Sequence, residues 1–303
     1  MKYLISGGSG LVGKVITNKI LAQNEQVNWL TSSKKEQKNV SCFGWNIDKN
    51  EIDSNCFTDV DALIHLAGAG VAEKNWTEKR KKELIDSRIK STQLLFDSVK
   101  NLTNKPKVIV AASAIGIYKN QDDLLLNEES EQGTDFLATL TKDWENAVNQ
   151  FENIGIRVVK LRIGIVLSAD GGYLQKVAAP AKWGFASALG NGKMITSWIH
   201  INDLADLFLF AAKKENLNGV YNAVAPNPVT NYEITKQIAK ALHRPFFMPN
   251  VPAFALKLIF GEMAAVILMS QNISAQKTIN AGFKFEFETV NEALNNIYKK
   301  VIY

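Results

Sequence analysis

Short runs of apolar, mostly β-branched residues alternate along the chain with longer stretches in which apolar side chains return every three or four positions. The runs at 3–6, 27–31, 62–67, 108–113, 156–161 and 220–223 predict strands, and the helical spacing over 11–23, 78–100, 136–151 and 202–213 predicts helices. Strand and helix taking turns in this way predict an α/β fold with a parallel sheet covered by helices on both faces. After Leu161 the pattern changes. Residues 168–195 are rich in glycine and alanine, with Gly171, Gly172, Gly184, Gly190 and Gly192, which predicts a loop or lid rather than sheet. From Pro226 onward helical patterns dominate. Thr230 with Glu233 three positions later has the spacing of a capping box that opens a helix. The run at 283–287 predicts a short strand.

The first strand runs directly into Gly7-Gly8-Ser9-Gly10-Leu11-Val12-Gly13, and Val12, Val15, Ile16 and Ile20 then mark a helix. A glycine turn between a strand and a helix brings backbone N–H groups close to a pyrophosphate at the positive end of the helix dipole. In such a turn Gly7 permits the tight bend, Gly10 lets the phosphates approach, and Gly13 lets helix and strand pack closely. The expected fold is therefore a Rossmann-type doubly wound sheet that binds a dinucleotide. Gly8 through Lys14 also has the spacing of a nucleoside-triphosphate loop, but such a loop needs Ser or Thr next to hold magnesium. Here Val15 follows, which cannot ligate a metal.

Composition narrows the function classes. Hydrophobic residues make up 46% of the 303, enough for a large core. The net charge is only +5. Lys74, Lys79, Arg80, Lys81 and Lys82 are interleaved with Glu73, Glu78 and Glu83, the mark of a solvated helix face rather than a nucleic-acid groove. Glu78 and Lys82 are spaced to support that helix. Two cysteines, Cys42 and Cys56, and no secretory signal suggest reduced thiols in a cytoplasmic protein. The three histidines, His65, His200 and His243, show no metal-ligand spacing, so no metal site is expected. The stretch 251–269 is the most membrane-like, but Pro252, Lys257, Gly261 and Glu262 interrupt it, so no span is expected. Two buried or cleft-lining helices are expected there, with an amphipathic contact to a partner or membrane surface as the alternative.

Ten further motifs join the glycine turn: HLAGAG (65–70), SRIKST (87–92), ASAIGIY (112–118), WENA (144–147), LRIGIVL (161–167), GGYLQK (171–176), SWIHINDLAD (197–206), NAVAPNPVTN (222–231), and GEMA with SQNIS between 261 and 274. Together they resemble the atypical, extended-type short-chain dehydrogenase/reductases of the nucleoside-diphosphate-sugar-epimerase-like kind, some of which carry a cell-division-inhibitor label. The resemblance spans nearly the whole chain. It implies an NAD(P)-binding Rossmann domain over 1–225, with the lid-like insertion at about 168–195, and a substrate-side C-terminal domain of unassigned role over 226–303. It also implies cofactor contacts at Thr31 and Ser32 (the adenosine end), at Leu66, Ala67 and Gly68 (the turn after the strand over 62–67), at Glu83 and Arg88 on the following helix, and at Ile165 near the nicotinamide. No acid follows the second strand until Glu36. An acid there would hold a ribose 2′-hydroxyl and repel a 2′-phosphate, whereas Thr31, Ser32, Lys34 and Lys35 suit a phosphate. The expected cofactor is NADP, with NAD as the alternative. Relatives typically carry an arginine where Ser32 falls, so the phosphate clamp is altered in this chain.

Reductases of this superfamily usually place a Tyr-x-x-x-Lys pair on the helix after the strand over 108–113, where the lysine tunes the tyrosine for proton exchange. Anchored on Glu145, those positions fall on Leu137 and Thr141, and neither side chain can do that chemistry. Lys142 is adjacent but points about 100° away around the helix. A literal Tyr-x-x-x-Lys at Tyr232 and Lys236 follows the wrong strand. The catalytic candidates are Ser113 and Tyr118, at and beyond the end of the strand over 108–113. His200 is expected to be a structural hydrogen-bonding group, and Asp203 the N-cap of the helix after it. The resulting expectation is an oxidoreductase or epimerase acting on a small polar or nucleotide-sugar-like substrate. The alternative is a non-catalytic NADP-binding, redox-sensing protein.

Overall fold

The computed structural model describes residues 1–32 and 37–299; Lys34 and Lys35 lie outside them. The first half runs β1 (Lys2–Ser6), α1 (Leu11–Ala22), β2 (Gln26–Thr31), β3 (Ser41–Asn46), β4 (Glu51–Ile52), β5 (Ala62–His65), α2 (Glu78–Val99), β6 (Val108–Ala114), β7 (Gln121–Leu126) and α3 (Phe136–Asn149). The second half runs β8 (Arg157–Ile163), β9 (Ile165–Leu167), α4 (Gly172–Lys182), β10 (Ile195–Thr196), β11 (Trp198–His200), α5 (Ile201–Lys213), β12 (Gly219–Ala223), β13 (Val229–Thr230), α6 (Asn231–Ala241), α7 (Ala253–Phe260), α8 (Ala264–Ile267), β14 (Gln271–Ile273), α9 (Gln276–Asn280) and α10 (Val290–Lys299).

Eight strands form the main sheet in the order β12-β8-β6-β5-β1-β2-β3-β4. Every pairing in it is parallel except that of β3 with β4. The chain lays strands outward from β1 on one side, then crosses back to β5 on the other. The order therefore reverses between β1 and β5, which is where an open parallel sheet leaves a crevice for a ligand. Strands buried on both faces read as continuous apolar runs, and this is why β1, β5, β6 and β8 stood out in the sequence. Three small two-stranded pairs (β9 with β11, β7 with β14, β10 with β13) tie the C-terminal region to the sheet. The larger core lies around the main sheet, and a second core runs from Leu167 through Trp198 and Ile234 to Tyr298.

The differences from the sequence expectation have local causes. β3 and β7 were not expected. β3 is half exposed and interrupted by Gly44, and β7 pairs with β14, some 150 residues away, so neither leaves a strong periodic signal. The lid-like stretch contains a helix, α4, entered through Gly172 at φ +73°. Thr230 does cap α6, accepting the Glu233 N–H at 3.1 Å. The expected strand at 283–287 does not form. Phe283, Phe285 and Phe287 do alternate into the core, but the N–H groups of Glu286 and Phe287 go to the Asp203 carboxylate at 2.9 and 3.1 Å. Asp203 is consequently not the cap of α5. His200 fills that role, its Nδ1 accepting the Asn202 N–H at 3.1 Å. In the stretch 251–269, Leu256, Met263 and Ala264 are buried, but Phe254, Leu258 and Ile259 face solvent, so α7 is not the buried helix expected. No helix among the described residues is long and apolar enough to cross a membrane.

Asp203 is 1% exposed, and burial raises its carboxyl to about 6 against the two backbone donors. Asp203→Asn would turn an amide N–H toward one of those donors. It is expected to lower the free energy of unfolding by about 1–3 kcal/mol, measured by urea titration at neutral pH.

Candidate functional site

The turn between β1 and α1 is shaped by the absence of side chains. Gly7 sits at φ +77°, and a Cβ there would come 3.1 Å from the Leu66 carbonyl carbon. A Cβ on Gly13 would lie within 3.0 Å of the Gly7 carbonyl oxygen, and one on Gly8 within 3.0 Å of the Trp29 indole. The turn after β1 is thus pressed against the turn after β5, with Trp29 of β2 beneath it. Gly10 is the N-cap of α1, with no side-chain cap, and its own N–H bonds the Gly7 carbonyl at 3.0 Å. Ser9, Leu11 and Val12 complete the turn. The amides that open α1 face the crevice at the positive end of the helix. Gly171 and Gly172, at the entry to α4, lie against Leu11: a Cβ on either would meet its side chain at 3.6–3.7 Å.

Directly beyond β5, Leu66, Ala67 and Gly68 pass under Arg88 of α2. A Cβ on Gly68 would stand 3.1 Å from the Arg88 guanidinium carbon, so the missing side chain lets the cation lie down on the backbone. Arg88 donates to the Leu84 carbonyl at 3.1 Å and lies 5.0 Å from the Trp144 ring centroid. Among the described residues no carboxylate comes within ion-pair distance of it. Burial, helped by the charge of Arg80, lowers its guanidinium to about 10, so it stays charged at neutral pH. A partly buried cation without a counter-ion is costly unless an anion completes it. Neither Asp86 nor Glu83 does so: Asp86 pairs with Lys82 and Lys90, and Glu83 pairs with Arg80 at 2.8 Å. Arg80 in turn donates to the Gly70 carbonyl at 2.6 Å, so Glu83 steadies the loop after β5 through Arg80.

A neutral histidine joins these pieces. His65 is completely buried, its Nδ1 2.6 Å from Ser6 Oγ and its Nε2 3.0 Å from Thr92 Oγ1. The Thr92 hydroxyl donates its proton to the Arg88 carbonyl at 2.7 Å. Thr92 Oγ1 must therefore accept from Nε2–H, which leaves Nδ1 to accept from the Ser6 hydroxyl. The chain Ser6 to His65 to Thr92 to Arg88 couples the ends of β1 and β5 to the helix that carries the cation. Burial, then the charge of Arg88, pushes His65 down to about 3.

At the end of β6 the two catalytic candidates enter a buried polar network. The Ser113 hydroxyl donates to Glu145 Oε1 at 2.6 Å. Arg162 holds the same carboxylate with two bonds of 2.8 and 2.9 Å and reaches the Tyr118 hydroxyl at 3.0 Å. Tyr118 is fully buried, donates to Asn222 Oδ1 at 2.7 Å, and is pushed by burial to about 12. Burial alone would raise Glu145, but the bonds and charge of Arg162 outweigh it and hold the carboxyl below the ordinary range. Leu137 and Thr141 are buried, and Thr141 bonds back to the Leu137 carbonyl at 2.8 Å. Tyr232 is exposed on α6 against Phe246. Ile165 follows Gly164 at the end of β8 and bonds the Ser197 carbonyl at 2.9 Å. Thr31 and Ser32 stand at the carboxyl end of β2.

The fold therefore gathers Gly7–Gly13, Leu66–Gly68 and Arg88 around one crevice, with Thr31 and Ser32 at its β2 side and Ser113 at the end of β6. Tyr118 faces away into the network with Arg162. The sequence reading missed His65 as a linker, Trp29 as the floor of the turn, Trp144 beneath Arg88, and the Glu145–Arg162 pair. His65, Trp144, Glu145 and Arg162 each lie in one of the motifs, HLAGAG, WENA and LRIGIVL, but which of these side chains meet in space leaves no mark in the spacing.

Comparison with known proteins gives the family and the fold. The model of the NAD dependent epimerase/dehydratase family matches residues 3–224, and that of a domain of unknown function (DUF1731) matches 251–297. The Staphylococcus aureus (strain MRSA252) epimerase family protein SAR0825 is 36% identical over 304 residues, 99% of each chain. The Mycobacterium bovis epimerase family protein Mb2239 is 35% identical over 96% of this chain and 95% of its own. Among solved structures, human epimerase family protein SDR39U1 (isoform 2) with NADPH superposes with a TM-score of 0.88 at 27% identity, covering 99% of both chains.

Because folded His65 resists protonation while the unfolded residue accepts a proton near 6.5, its contribution to stability is full above that value. It fades as pH falls toward 3. By pH 5 about 2 kcal/mol is lost. Asp203, raised to about 6, acts in the opposite direction over the same range, so a comparison is needed to isolate His65. His65→Asn is expected to be less stable than wild type at pH 7.5 and to lose less on going to pH 5, as read by denaturant unfolding at both pH values.

Proposed function

The chain belongs to the NAD-dependent epimerase/dehydratase family, and we propose that it is an NADP-dependent oxidoreductase or epimerase acting on a small polar or nucleotide-sugar-like substrate. The observation that carries this reading is Arg88, a partly buried cation with no carboxylate partner among the described residues, lying on Gly68 beside a side-chain-free turn at the N-terminus of α1. The site fits a dinucleotide. The bare backbone of Gly7, Gly8, Ser9, Gly10, Leu11, Val12 and Gly13 would hold the pyrophosphate. Thr31 and Ser32 would meet the adenosine ribose; Leu66, Ala67, Gly68 and Arg88 would line the middle of the cofactor; and Ile165 would flank the nicotinamide. Glu83 acts by holding Arg80. The β2 end presents hydroxyls and no acid before Glu36, which favours NADP over NAD, and a relative of similar length carries NADPH in its solved structure.

The bound nicotinamide would supply hydride transfer. The protein's own residues supply binding and orientation. Arg88 neutralises anionic charge with a fixed fork of donors. Ser113, at the strand end, keeps its hydroxyl oriented through Glu145 and Arg162, which suits it to position a substrate. Tyr118 shapes the same wall from behind, as its hydroxyl is bonded to Asn222 and out of solvent. Leu137 and Thr141, at the positions of the usual Tyr-Lys pair, favour a second reading in which the chain binds NADP without turnover and reports redox state to a partner. A panel of ketones, aldehydes and nucleotide sugars followed by NADPH oxidation separates the two: turnover of any one supports the enzyme, and none across the panel supports the sensor. A cytoplasmic location accords with either reading.

Fluorescence titration is expected to show tighter binding of NADPH than of NADH. Gly10→Val is expected to abolish both. Arg88→Ala is expected to weaken NADPH by about 10- to 100-fold, the cost of losing a hydrogen-bonded charge. Equal affinity for the two cofactors would remove the preference assigned to the β2 end.

A further inference from the structure

Six large apolar side chains on the C-terminal side of the molecule stand in solvent: Trp183 (82% exposed), Phe185 (59%), Phe247 (72%), Phe254 (74%), Leu258 (86%) and Ile259 (60%). Adjacent segments carry them. Beyond α4 the chain turns at Gly184, where a Cβ would meet Pro245 at 4.0 Å. The Ser187 hydroxyl donates to the Pro249 carbonyl, the Gly190 N–H donates to the Val251 carbonyl at 2.8 Å, and the Val251 N–H donates to the Ala188 carbonyl at 2.8 Å. Residues 184–190 therefore run beside 245–251 and lead into α7, which keeps only Leu256 fully buried. At roughly 200 Å² for a full aromatic side chain, this exposure is on the order of 800 Å². Single exposed apolar side chains are ordinary on a monomer, but six on neighbouring segments are not.

The charge around this face is one-sided. Segments 171–200 and 231–262 contain seven lysines and arginines against two carboxylates, Glu233 and Glu262, a net +5 equal to that of the whole chain, and Glu262 is paired with Lys81 of α2. Lys182 and Lys257 stand next in sequence to exposed apolar groups, and Arg244 stands three residues before Phe247. Lys236 and Lys240 are exposed one turn apart on α6, below Tyr232. Among the described residues none of these five has a carboxylate within ion-pair distance, whereas Lys81, Lys82 and Lys90 of α2 are all paired.

We propose that this face docks on an anionic bilayer surface, with the apolar side chains at the headgroup–acyl boundary and the cations on lipid phosphates. Exposed aromatic and leucine side chains flanked by uncompensated lysine and arginine are the composition of an interfacial contact. Side chains exposed by 59–86% stand proud of the surface rather than lining a groove, and a bilayer accepts such a shape where a protein partner needs a matching hollow. The face also touches the loop after β5, through Asn75 to the Ile259 carbonyl at 3.4 Å and Lys176 to the Ala72 carbonyl, so docking sets the crevice close to the membrane. Nucleotide binding is a separate property and need not be correct for docking to occur.

The test is cosedimentation of the full chain with vesicles of equal parts phosphatidylglycerol and phosphatidylcholine, and with phosphatidylcholine alone. Binding is expected to the anionic vesicles, weakening as salt is raised. Trp183→Ser with Leu258→Asp is expected to abolish it, and Lys182→Glu with Lys257→Glu to weaken it by about tenfold or more. All four positions are exposed, so unchanged thermal unfolding of both variants confirms that the fold is intact. No binding to anionic vesicles overturns the proposal, as does binding that survives both double variants. A dimer in solution that the Trp183/Leu258 variant converts to monomer also overturns it, since the face would then belong to a second copy.

Discussion

Backbone occupies the space where side chains would stand at the point where the sheet reverses direction, and the site depends on that close approach. The turn after β1 touches the turn after β5 only because Gly7 lacks a Cβ, and α1 starts where it does only because Gly13 admits the Gly7 carbonyl. The same device recurs at Gly68, which lets a guanidinium rest on the main chain. Three positions without side chains thus create a crevice that presents amides from one side and a cation from the other. Both favour an anion.

Beneath this surface the polar groups are held rather than free. His65 stays neutral because it is dry and because Arg88 is close, and its two ring nitrogens are fixed as acceptor and donor by Ser6 and Thr92. Glu145 stays ionised because Arg162 grips both of its oxygens. A buried pair of this kind is weak as a source of net stability, but loss of one partner leaves a charge stranded. These groups therefore act as scaffolding: they set where the ends of β1, β5, β6 and β8 lie, and so where Ser113 and Arg88 face.

Much of the architecture could be read from periodicity. Strands covered on both faces must be apolar throughout, and the helices over them must repeat near 3.6, so β1, β2, β5, β6, β8 and β12 and the helices α1, α2, α3 and α5 were visible one by one. Elements whose partners are distant in sequence were not. β7 has an acidic start and pairs with β14, and β3 is half exposed, so neither carries a pattern strong enough to mark it. The stretch 283–287 shows the converse: its alternation was genuine and faces the core, but Asp203 takes the hydrogen bonds that a neighbouring strand would have taken.

For the site, the order of residues along the chain determined the glycine turn, its place between a strand and a helix, the absence of an acid after β2, and the loss of the usual Tyr-Lys pair, because each is a property of a few consecutive positions. Tertiary structure alone decided that Arg88 has Trp144 and Gly68 for neighbours and, among the described residues, no carboxylate, that Tyr118 is committed to Asn222 and Arg162, and that His65 joins two strand ends to a helix. Those facts depend on which side chains from distant segments meet in space, and on how much water is left around them when they do. Local spacing carries no record of either.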